Sequence, residues 1–454
     1  MAKRVAIGEP ADLGAVEARR HLVDGSLKSR TLVEACLSRI QERDPEVGAF
    51  VHTDARRAEM EAREVDRRRE QGLPLGPLHG VPVALKDIID AQGYPTENGT
   101  PLDAGKRPWE DATVTRRLRD AGAVILGKTA TAELAYQSPP ATRNPFDPSR
   151  TPGGSSSGSA AAVAAGMVPF AVGSQTAGSV IRPASFCGVV GFKPSYGAVP
   201  RTGVLTAAPS LDHVGFFARS IEDVALAGEV MGPDGHDLDA RVDPGPLLET
   251  ALSAPPVTPD LALVKTPFWS RADEATQAGF EELLEVLGDH GTEAELPEVF
   301  ARGAGWLATV MAAEMARNLG HYDERGDEQL SDRFRSLLTE GRAITAVDYL
   351  GARDMRGVLR DALDPLFERF DAIMTPAAPG EAPADLGHTG DPIFCTLWTF
   401  CGLPAVSLPL LTGPNGLPVG VQLVGAYGQD ARLLRTARWL VDQCAAAASE
   451  ESPS

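Results

Sequence analysis

The sequence predicts an α/β protein: a single α/β/α domain whose central, mixed and mostly parallel β-sheet is covered by helices. From Gly76 onwards, short β-branched runs between Gly/Pro turns alternate with helical segments such as DATVTRRLRDAG and SAAAVAAG; the runs are GVPVALKD, AVILGKT, GMVPFAVG and CGVVGFKP. After a long helical section, strand-like runs return in DAIMTPAAP, PAVSLPLL and PVGVQLVG. This late return indicates that the C-terminal part completes the same sheet. The 454 residues, 43% apolar, can bury a large core.

The chain is expected to form five consecutive parts of one domain over residues 1–454. Segments within residues 11–72 place apolar residues three to four positions apart, which is the spacing of amphipathic helices. The expected parts are a helical N-terminal part (1–72), a core with the candidate catalytic residues (76–240), a variable, acidic, mostly helical section (245–370), a part that completes the sheet (371–445) and a frayed tail (446–454).

Charge and hydropathy exclude several classes of partner. A formal net charge of −19 at pH 7 would repel phosphate backbones and anionic lipid, so neither nucleic acid nor a membrane is expected as a partner. The N-terminal MAKRVAIGEPADLG lacks the apolar core of a signal peptide. The run SAAAVAAGMVPFAVG is too short and too interrupted by Gly and Pro to span a bilayer. We therefore expect a cytoplasmic protein, and whether it forms a homodimer stays open.

The cysteines and histidines do not form recognisable ligand sets. The eight histidines are dispersed, without an H-E-x-x-H motif or a pair at helical i, i+4 spacing. The five cysteines are scattered and odd in number: Cys36, Cys187, Cys395, Cys401 and Cys444. The sequence therefore predicts neither a disulfide framework nor a metal site, and no cofactor.

The stretch TPGGSSSGSAAAVAAG, from Thr151 to Gly166, is rich in glycine and serine just ahead of a helix. A flexible linker is one interpretation, but this stretch lies between Pro-rich turn sequence and a good helix former. A second interpretation uses the G-x-S-x-G pattern, which would make Ser156 the elbow nucleophile of an α/β-hydrolase. That elbow follows an apolar strand, whereas the preceding RNPFDPSRTP is polar and interrupted by proline.

The segment GAVILGKT, Gly122 to Thr129, matches the spacing of a phosphate-binding loop. Its context contradicts a nucleotide site, because a helix precedes it and the residues between its glycines themselves form a strand pattern. Lys128 is then more simply a residue at the end of a strand.

More of the chain is explained by a third interpretation. TPGGSSSGSAAAVAAG, GSQTAGSVIRPASFCGVVGFKPSYG and the upstream GVPVALKD together resemble the amidase signature family of Ser-Ser-Lys hydrolases. The resemblance extends to DATVTRRLRDAGAVILGKT, TRNPFDP, GLPAVSLPL and GLPVGVQLVG, so it covers nearly all of the chain except the middle helical section and the tail.

The resemblance implies a role for each of three residues. Ser179 would be the nucleophile, Ser155 the bridging serine and Lys86 the base, with a cis peptide bond between Gly154 and Ser155. Serine is a weak nucleophile that needs a base, and a lysine serves as one only when neutral. The apolar lead-in GVPVAL would place the Lys86 amine in the sheet interior, where desolvation disfavours the ammonium form. Gly153, Gly154 and Gly158 would supply permissive backbone.

The turn GSQTAGS would carry the oxyanion hole. Its donors would be the backbone N–H groups of Thr176, Ala177, Gly178 and Ser179. Ser156, Ser157 and Ser159 are expected to bond to local backbone or to cap a helix.

Four positions depart from the usual family pattern. Gln175 stands where Asp is common, and Ile181 where Arg is common, with Arg182 one residue later; these two changes are interpreted as linked. Ala177 and Ser157 replace common glycines, and Ala177 would alter the oxyanion hole if that position needs a positive φ.

The expected activity is hydrolysis of a small linear or non-peptide carboxylic amide through an acyl-enzyme intermediate, without a cofactor. The alternative is the glutamine-hydrolysing subunit of a glutamyl-tRNA amidotransferase, which acts with a second subunit. The loop from Tyr136 to Ala141, with Tyr136 and Gln137, and an apolar wall of Phe394, Trp398 and Phe400 are the candidate substrate-binding residues.

Overall fold

A computed structural model describes residues 8–235, 237 and 239–450. Its described strands are β1 (Phe50–Thr53), β2 (Pro82–Lys86), β3 (Val124–Thr129), β4 (Phe170–Gln175), β5 (Val190–Lys193), β6 (His213–Ala218), β7 (Leu261–Val264), β8 (Gly291–Ala294), β9 (Ala372–Pro376), β10 (Ala405–Thr412) and β11 (Pro418–Val424). Its described α-helices are α1 (Ala15–Asp24), α2 (Ser29–Val47), α3 (Ala55–Glu70), α4 (Thr113–Asp120), α5 (Ser157–Ala164), α6 (Ile181–Phe186), α7 (Ile221–Met231), α8 (Leu247–Leu252), α9 (Glu274–Leu287), α10 (Gly303–Leu319), α11 (His321–Gly326), α12 (Asp332–Ala343), α13 (Ala346–Asp361), α14 (Asp364–Arg369), α15 (Ile393–Cys401) and α16 (Asp430–Glu450).

The described strands form one sheet in the order β1-β3-β2-β4-β6-β5-β10-β11-β9-β7-β8. Parallel pairs join β3, β2 and β4 in one block and β9, β7 and β8 in another. The other pairs of the described sheet are antiparallel, partly because β10 and β11 form a hairpin inserted between β5 and β9. The predicted α/β class, with a mixed sheet covered by helices, is confirmed. Parallel pairing, which was predicted for most of the sheet, is found in these two blocks.

The central strands form where the sequence runs apolar without alternation. Every residue of β2, β3, β4 and β9 is buried, as expected for strands with helices packed on both faces. The runs GVPVALKD, AVILGKT, GMVPFAVG and CGVVGFKP coincide with β2 to β5, and the late runs coincide with β9 to β11, although β4 and β10 extend one or two residues further than predicted. These predictions are confirmed.

Strands β1, β6, β7 and β8 lie outside the runs that predicted a strand. Strands β7 and β8 fall within residues 245–370, so the prediction of a mostly helical section there is incomplete. Each of the two has only four residues, and β8 is partly exposed. Such short segments between helices carry too little periodicity to be recognised. Strand β1 is also only four residues long and lies within the predicted helical N-terminal part. Its residues alternate between half-buried and exposed positions.

The register of β2 against β4 positions the candidate site. Leu85 pairs with Val172 in parallel register, so the carboxyl ends of the two strands reach the same edge of the sheet. Lys86 ends β2, and the turn after β4 carries Ser179. Among the described helices, none combines the length and apolar character needed to cross a membrane.

Candidate active site

The Lys86 side chain lies in the interior, fully shielded from solvent. Its Nζ donates one hydrogen bond to Ser155 Oγ, at 2.7 Å, and another to Ser174 Oγ, at 2.8 Å. Burial lowers the pKa of Lys86 to about 7, and the charge of Asp212 acts in the opposite direction. Both hydrogen bonds of the amine are therefore with hydroxyl groups, which can accept a hydrogen bond and pass on a proton.

Two other buried lysines show what distinguishes Lys86. Lys128 forms an ion pair with Asp87 at 2.9 Å. Lys193 donates to backbone carbonyls, including that of Leu403, and burial lowers its pKa to about 7 as well. Lys86 therefore does not differ from Lys193 in its lowered pKa. It differs from both other lysines in that its amine contacts two serine hydroxyls. Lys128 lies in β3, as predicted, and its amine is held by Asp87, so it is not placed as in a phosphate-binding loop.

Residues 151–159 form the turn and the helix start that carry Ser155. The peptide bond between Gly154 and Ser155 is cis, as the resemblance implies, and Gly153 has a φ of 81°. A Cβ atom at Gly158 would lie 2.2 Å from the carbonyl oxygen of Ala49, so only glycine fits where this helix approaches the neighbouring backbone. The glycines are therefore required by conformation and by close packing.

The neighbouring serines have structural roles, as predicted. Their hydroxyls donate to backbone carbonyls: Ser156 to Ser174 at 3.1 Å, Ser157 to Gly153 at 2.7 Å and Ser159 to Val172 at 3.1 Å. Ser156 also accepts the N–H of Ser174 at 3.2 Å. Its hydroxyl is thus committed to β4, and no histidine contacts it in the described chain, which argues against an α/β-hydrolase elbow.

Gln175 holds the turn that contains Ser179. Its Oε1 accepts the N–H groups of Val180, at 2.7 Å, and Ile181, at 3.0 Å. Its Nε2 donates to Thr399 Oγ1 at 2.8 Å. One neutral amide therefore satisfies donors and an acceptor that would otherwise be buried without partners. The Ile181 side chain is buried in the core.

The segment between Gln175 and Ser179 leaves its amides free. Within the described residues, the backbone N–H groups of Ala177, Gly178 and Ser179 donate to no protein group. The Thr176 side chain is held by Asp212, since its Oγ1 donates to Oδ1 at 2.7 Å. Ala177 does not have a positive φ, so its methyl group imposes no backbone strain.

A cleft with an empty volume of about 450 Å³ opens beside Ser179. Its lining residues are Ala135, Tyr136, Gln137, Thr176, Ala177, Gly178, Ser179, Arg182, Met311, Met315, Thr389, Gly390 and Pro392. Two of these, Tyr136 and Gln137, are among the residues that the sequence singled out. They follow Leu134 and Ala135, which both have positive φ and turn the chain towards the cleft.

The predicted aromatic wall is wrong. Phe394, Trp398 and Phe400 all belong to α15, where their side chains are buried, and they do not line the cleft. The whole of α15 after its first residue is buried, so an aromatic side chain on it packs against the core on any face. Met311 and Met315 of α10 supply the apolar side of the cleft instead.

The three predicted catalytic residues are brought to one edge of the sheet. Lys86 and Ser155 are in direct contact, whereas Ser179 makes no hydrogen bond to either of them in the described structure. Catalytic hydrogen bonds are often long before substrate binds. The geometry therefore contains a formed Lys–Ser pair and a nearby serine that faces the cleft.

One cluster of the described residues has the composition of a metal site. Donor atoms of His52, Asp87 and Glu97 lie within 4.8 Å of one another. Each already has a partner, because His52 contacts Glu97 at 2.8 Å and Asp87 pairs with Lys128. The Lys128 ammonium occupies the position in which a cation would balance Asp87.

Several residues of the site are not predicted by the sequence. Ser174, the second hydroxyl on Lys86, lies within the apolar pattern of β4, where a serine carries no signal. Asp212, which holds Thr176, is brought in by the chain after residue 200. Met311, Met315 and Thr389 come from the part of the chain without family-like segments or from loops, and only the tertiary structure brings them to Ser179.

Comparison with known proteins gives consistent results. The model of the family described as "Amidase" matches residues 31–434. A glutamyl-tRNA(Gln) amidotransferase subunit of Synechococcus sp. (strain CC9605) is 36% identical, over 92% of this chain and 94% of the relative. The native peptide amidase from Stenotrophomonas maltophilia superposes with a TM-score of 0.83 at 29% identity, covering 96% of this chain and 97% of that one. A structure described as "An unexpected vestigial protein complex reveals the evolutionary origins of an s-triazine catabolic enzyme" gives a TM-score of 0.88 at 31% identity, covering 95% and 98%.

Proposed function

The chain belongs to the amidase family and acts on C–N amide bonds, and from this premise we propose that it hydrolyses small linear carboxylic amides through an acyl-enzyme on Ser179. The observation that most directly supports this proposal is that the buried Lys86 amine lies 2.7 Å from Ser155 Oγ. With a pKa of about 7, roughly half of the Lys86 amines are neutral at pH 7. We further propose that residues 1–454 act as one amidase domain, which the single sheet supports.

In the proposed first step, the Ser179 hydroxyl attacks the amide carbonyl carbon. Its proton passes to Ser155, whose own proton passes to the neutral Lys86 amine. The carbonyl oxygen becomes an oxyanion. The free N–H groups of Ala177, Gly178 and Ser179 are available to bind it.

In the second step, the C–N bond breaks and the relay returns a proton to the leaving amine. This leaves an ester between the acyl group and Ser179. Water then attacks the ester carbonyl and gives up a proton through the same relay, which releases the carboxylic acid and restores Ser179. Ser174 acts as a positioning residue, because its Oγ fixes Lys86 Nζ from a second direction.

Labelling with a fluorophosphonate tests the nucleophile directly. Wild type should be labelled at Ser179, and Ser179→Ala should lose both labelling and turnover. Ser156→Ala is the matched control, since Ser156 lies next to the relay serine but bonds only to β4; its turnover should remain. Labelling that persists in Ser179→Ala and disappears in Ser156→Ala would overturn the assignment in favour of the α/β-hydrolase elbow.

The second candidate is a glutamine-hydrolysing subunit of a glutamyl-tRNA amidotransferase, which the 36% identity over 94% of a subunit of such an enzyme favours. The two candidates share the relay and differ in substrate and partner. Purified protein assayed against aryl, aliphatic and peptide amides and ureas, with detection of ammonia and amines, separates them. Turnover confined to glutamine, together with copurification of a second subunit, would establish the second candidate.

A further inference from the structure

Arg182 is a buried cation beside the proposed nucleophile. It lies in the first turn of α6, where its N–H donates to the carbonyl of Gly178 at 3.0 Å. The residue is only 4% exposed, yet it contributes to the lining of the cleft that contains Ser179. A guanidinium is rarely buried without a partner that balances its charge.

The partners of Arg182 in the protein are incomplete. Its side-chain hydrogen bonds to described residues all use Nη2, which donates to the Gly154 carbonyl at 2.6 Å and to Thr389 Oγ1 at 3.1 Å. Its Nε is buried without an acceptor. Asp391 acts on it through space but is ion-paired with Arg271 at 2.6 Å. Neutral oxygens therefore hold the guanidinium, and no described carboxylate forms an ion pair with it.

The cleft has no acidic group of its own to balance this charge. Its described lining contains the neutral polar side chains of Tyr136 and Gln137 and the apolar side chains of Met311 and Met315, but no aspartate or glutamate. Burial lowers the pKa of Arg182 to about 10, so the guanidinium stays protonated at neutral pH. An anion that enters the cleft would meet one desolvated cation and no carboxylate among the described lining residues.

We propose that Arg182 is a specificity-determining residue that binds a carboxylate on the substrate, so that the preferred substrates are monoamides of short dicarboxylic acids. The proposal rests on the amidase function and names its substrate class. Ser179 precedes α6, Arg182 lies in its first turn, and both line the same cleft. A short aliphatic spacer would therefore join the scissile carbonyl over Ser179 to the carboxylate.

The same lining discriminates against an α-amino acid. Glutamine also carries a carboxylate three carbons from its amide, but its ammonium group would enter the cleft without an acidic partner. A plain glutaramate has the carboxylate alone. The geometry thus favours glutaramate or succinamate over glutamine.

The test compares kcat/KM for glutaramate, its neutral isostere 5-oxohexanamide and glutamine. Wild type should prefer glutaramate over the neutral isostere by about 10- to 100-fold, the range expected for a charge-assisted hydrogen bond. Arg182→Gln, which keeps a donor for the Gly154 carbonyl, should lose this preference while still hydrolysing the neutral amide. Arg182→Lys, which keeps the charge, should retain part of it.

Equal turnover of glutaramate and the neutral isostere by wild type would overturn the proposal and leave the amidase function intact. So would an unchanged preference in Arg182→Gln. If Arg182→Gln is inactive on every amide, the test becomes inhibition of the wild-type enzyme by glutarate, with the neutral amide as substrate. Glutarate should then inhibit competitively. Absence of inhibition at glutarate concentrations near the KM for glutaramate overturns the proposal. Absence of all amide turnover and of Ser179 labelling in wild type would instead refute the function on which the proposal rests.

Discussion

Replacement of Lys86 by methionine should abolish turnover and yet stabilise the folded protein at pH 7. The pKa of Lys86 falls from 10.5 in the unfolded chain to about 7 in the fold, because the amine is fully buried. At 1.36 kcal/mol for each tenfold change, folding at pH 7 therefore costs roughly 4–5 kcal/mol for release of the proton. Methionine has a similar length and no charge, so Lys86→Met removes this cost.

Part of the gain is lost because the hydroxyls of Ser155 and Ser174 lose their common donor. At about 1 kcal/mol for each of the two hydroxyls, the low end of the cost of a buried group left without its hydrogen bond, this loss is roughly 2 kcal/mol. We expect Lys86→Met to be more stable than wild type by roughly 2 kcal/mol at pH 7. The sign of the pH dependence follows from the pKa values: between pH 7 and 10.5 the unfolded chain binds more protons than the folded one, so wild-type stability rises with pH. Because half of the folded-state amines still hold their proton at pH 7, the advantage of Lys86→Met should shrink by about 1 kcal/mol between pH 7 and 8 and by about 1.3 kcal/mol between pH 8 and 9.

Urea unfolding followed by circular dichroism at pH 7, 8 and 9 measures this slope. Lys193→Met is the matched control, since Lys193 is equally buried and its pKa is also about 7, but its amine contacts backbone carbonyls. It should show the same pH dependence and keep its turnover. A stability difference for Lys86→Met that does not change between pH 7 and 9 would refute the reasoning, because the amine would then hold its proton equally in both states and could not serve as the base.

Three further outcomes are expected. In wild type, kcat/KM should rise with an ionisation near pH 7. Lys86→Arg, whose guanidinium keeps its proton, should lower turnover by about 10²- to 10⁴-fold while its circular dichroism spectrum stays unchanged. Near-normal turnover of Lys86→Arg would show that Lys86 is a structural cation. Ser174→Ala removes one of the two acceptors of Lys86 Nζ and should move that ionisation to lower pH, whereas a purely structural role would leave the pH profile in place. Gln175→Ala leaves two buried amides without their acceptor and should lower the free energy of unfolding by about 2–4 kcal/mol, whereas Gln175→Glu, which keeps the acceptor, should lose less.

The sequence is informative where chemistry and backbone conformation require particular residue types. A glycine at close approach and a glycine with positive φ restrict the sequence over short distances. The same is true of the strands that are buried on both faces, because their apolar runs have no other common explanation. The roles of Lys86 and Ser155, whose side chains are in contact in the structure, were implied by the resemblance to a known family and not by a local rule.

The substrate side of the cleft could not be predicted in the same way. Trp398 and Met311 are both apolar residues on helices, and nothing in either local pattern says which one faces Ser179. That choice depends on how α10 and α15 pack against the sheet. Arg182 carries a pattern that could be noticed, since it is displaced by one position from the usual arginine, but its unbalanced charge is visible only when its surroundings are known.

The insertion of the β10–β11 hairpin between β5 and β9 has a consequence for synthesis on the ribosome. Strand β5 pairs with β10 through residues such as Lys193 and Ala405, and about 210 residues separate the two strands along the chain. At translation rates of about 5–20 residues per second, one edge of β5 would wait about 10 to 40 s for its partner. During that interval the nascent chain presents an unpaired, apolar strand edge, which is the kind of surface that chaperones bind and that promotes aggregation. Slower translation, or loss of ribosome-associated chaperones, should therefore reduce the yield of folded enzyme more than it reduces synthesis of the chain.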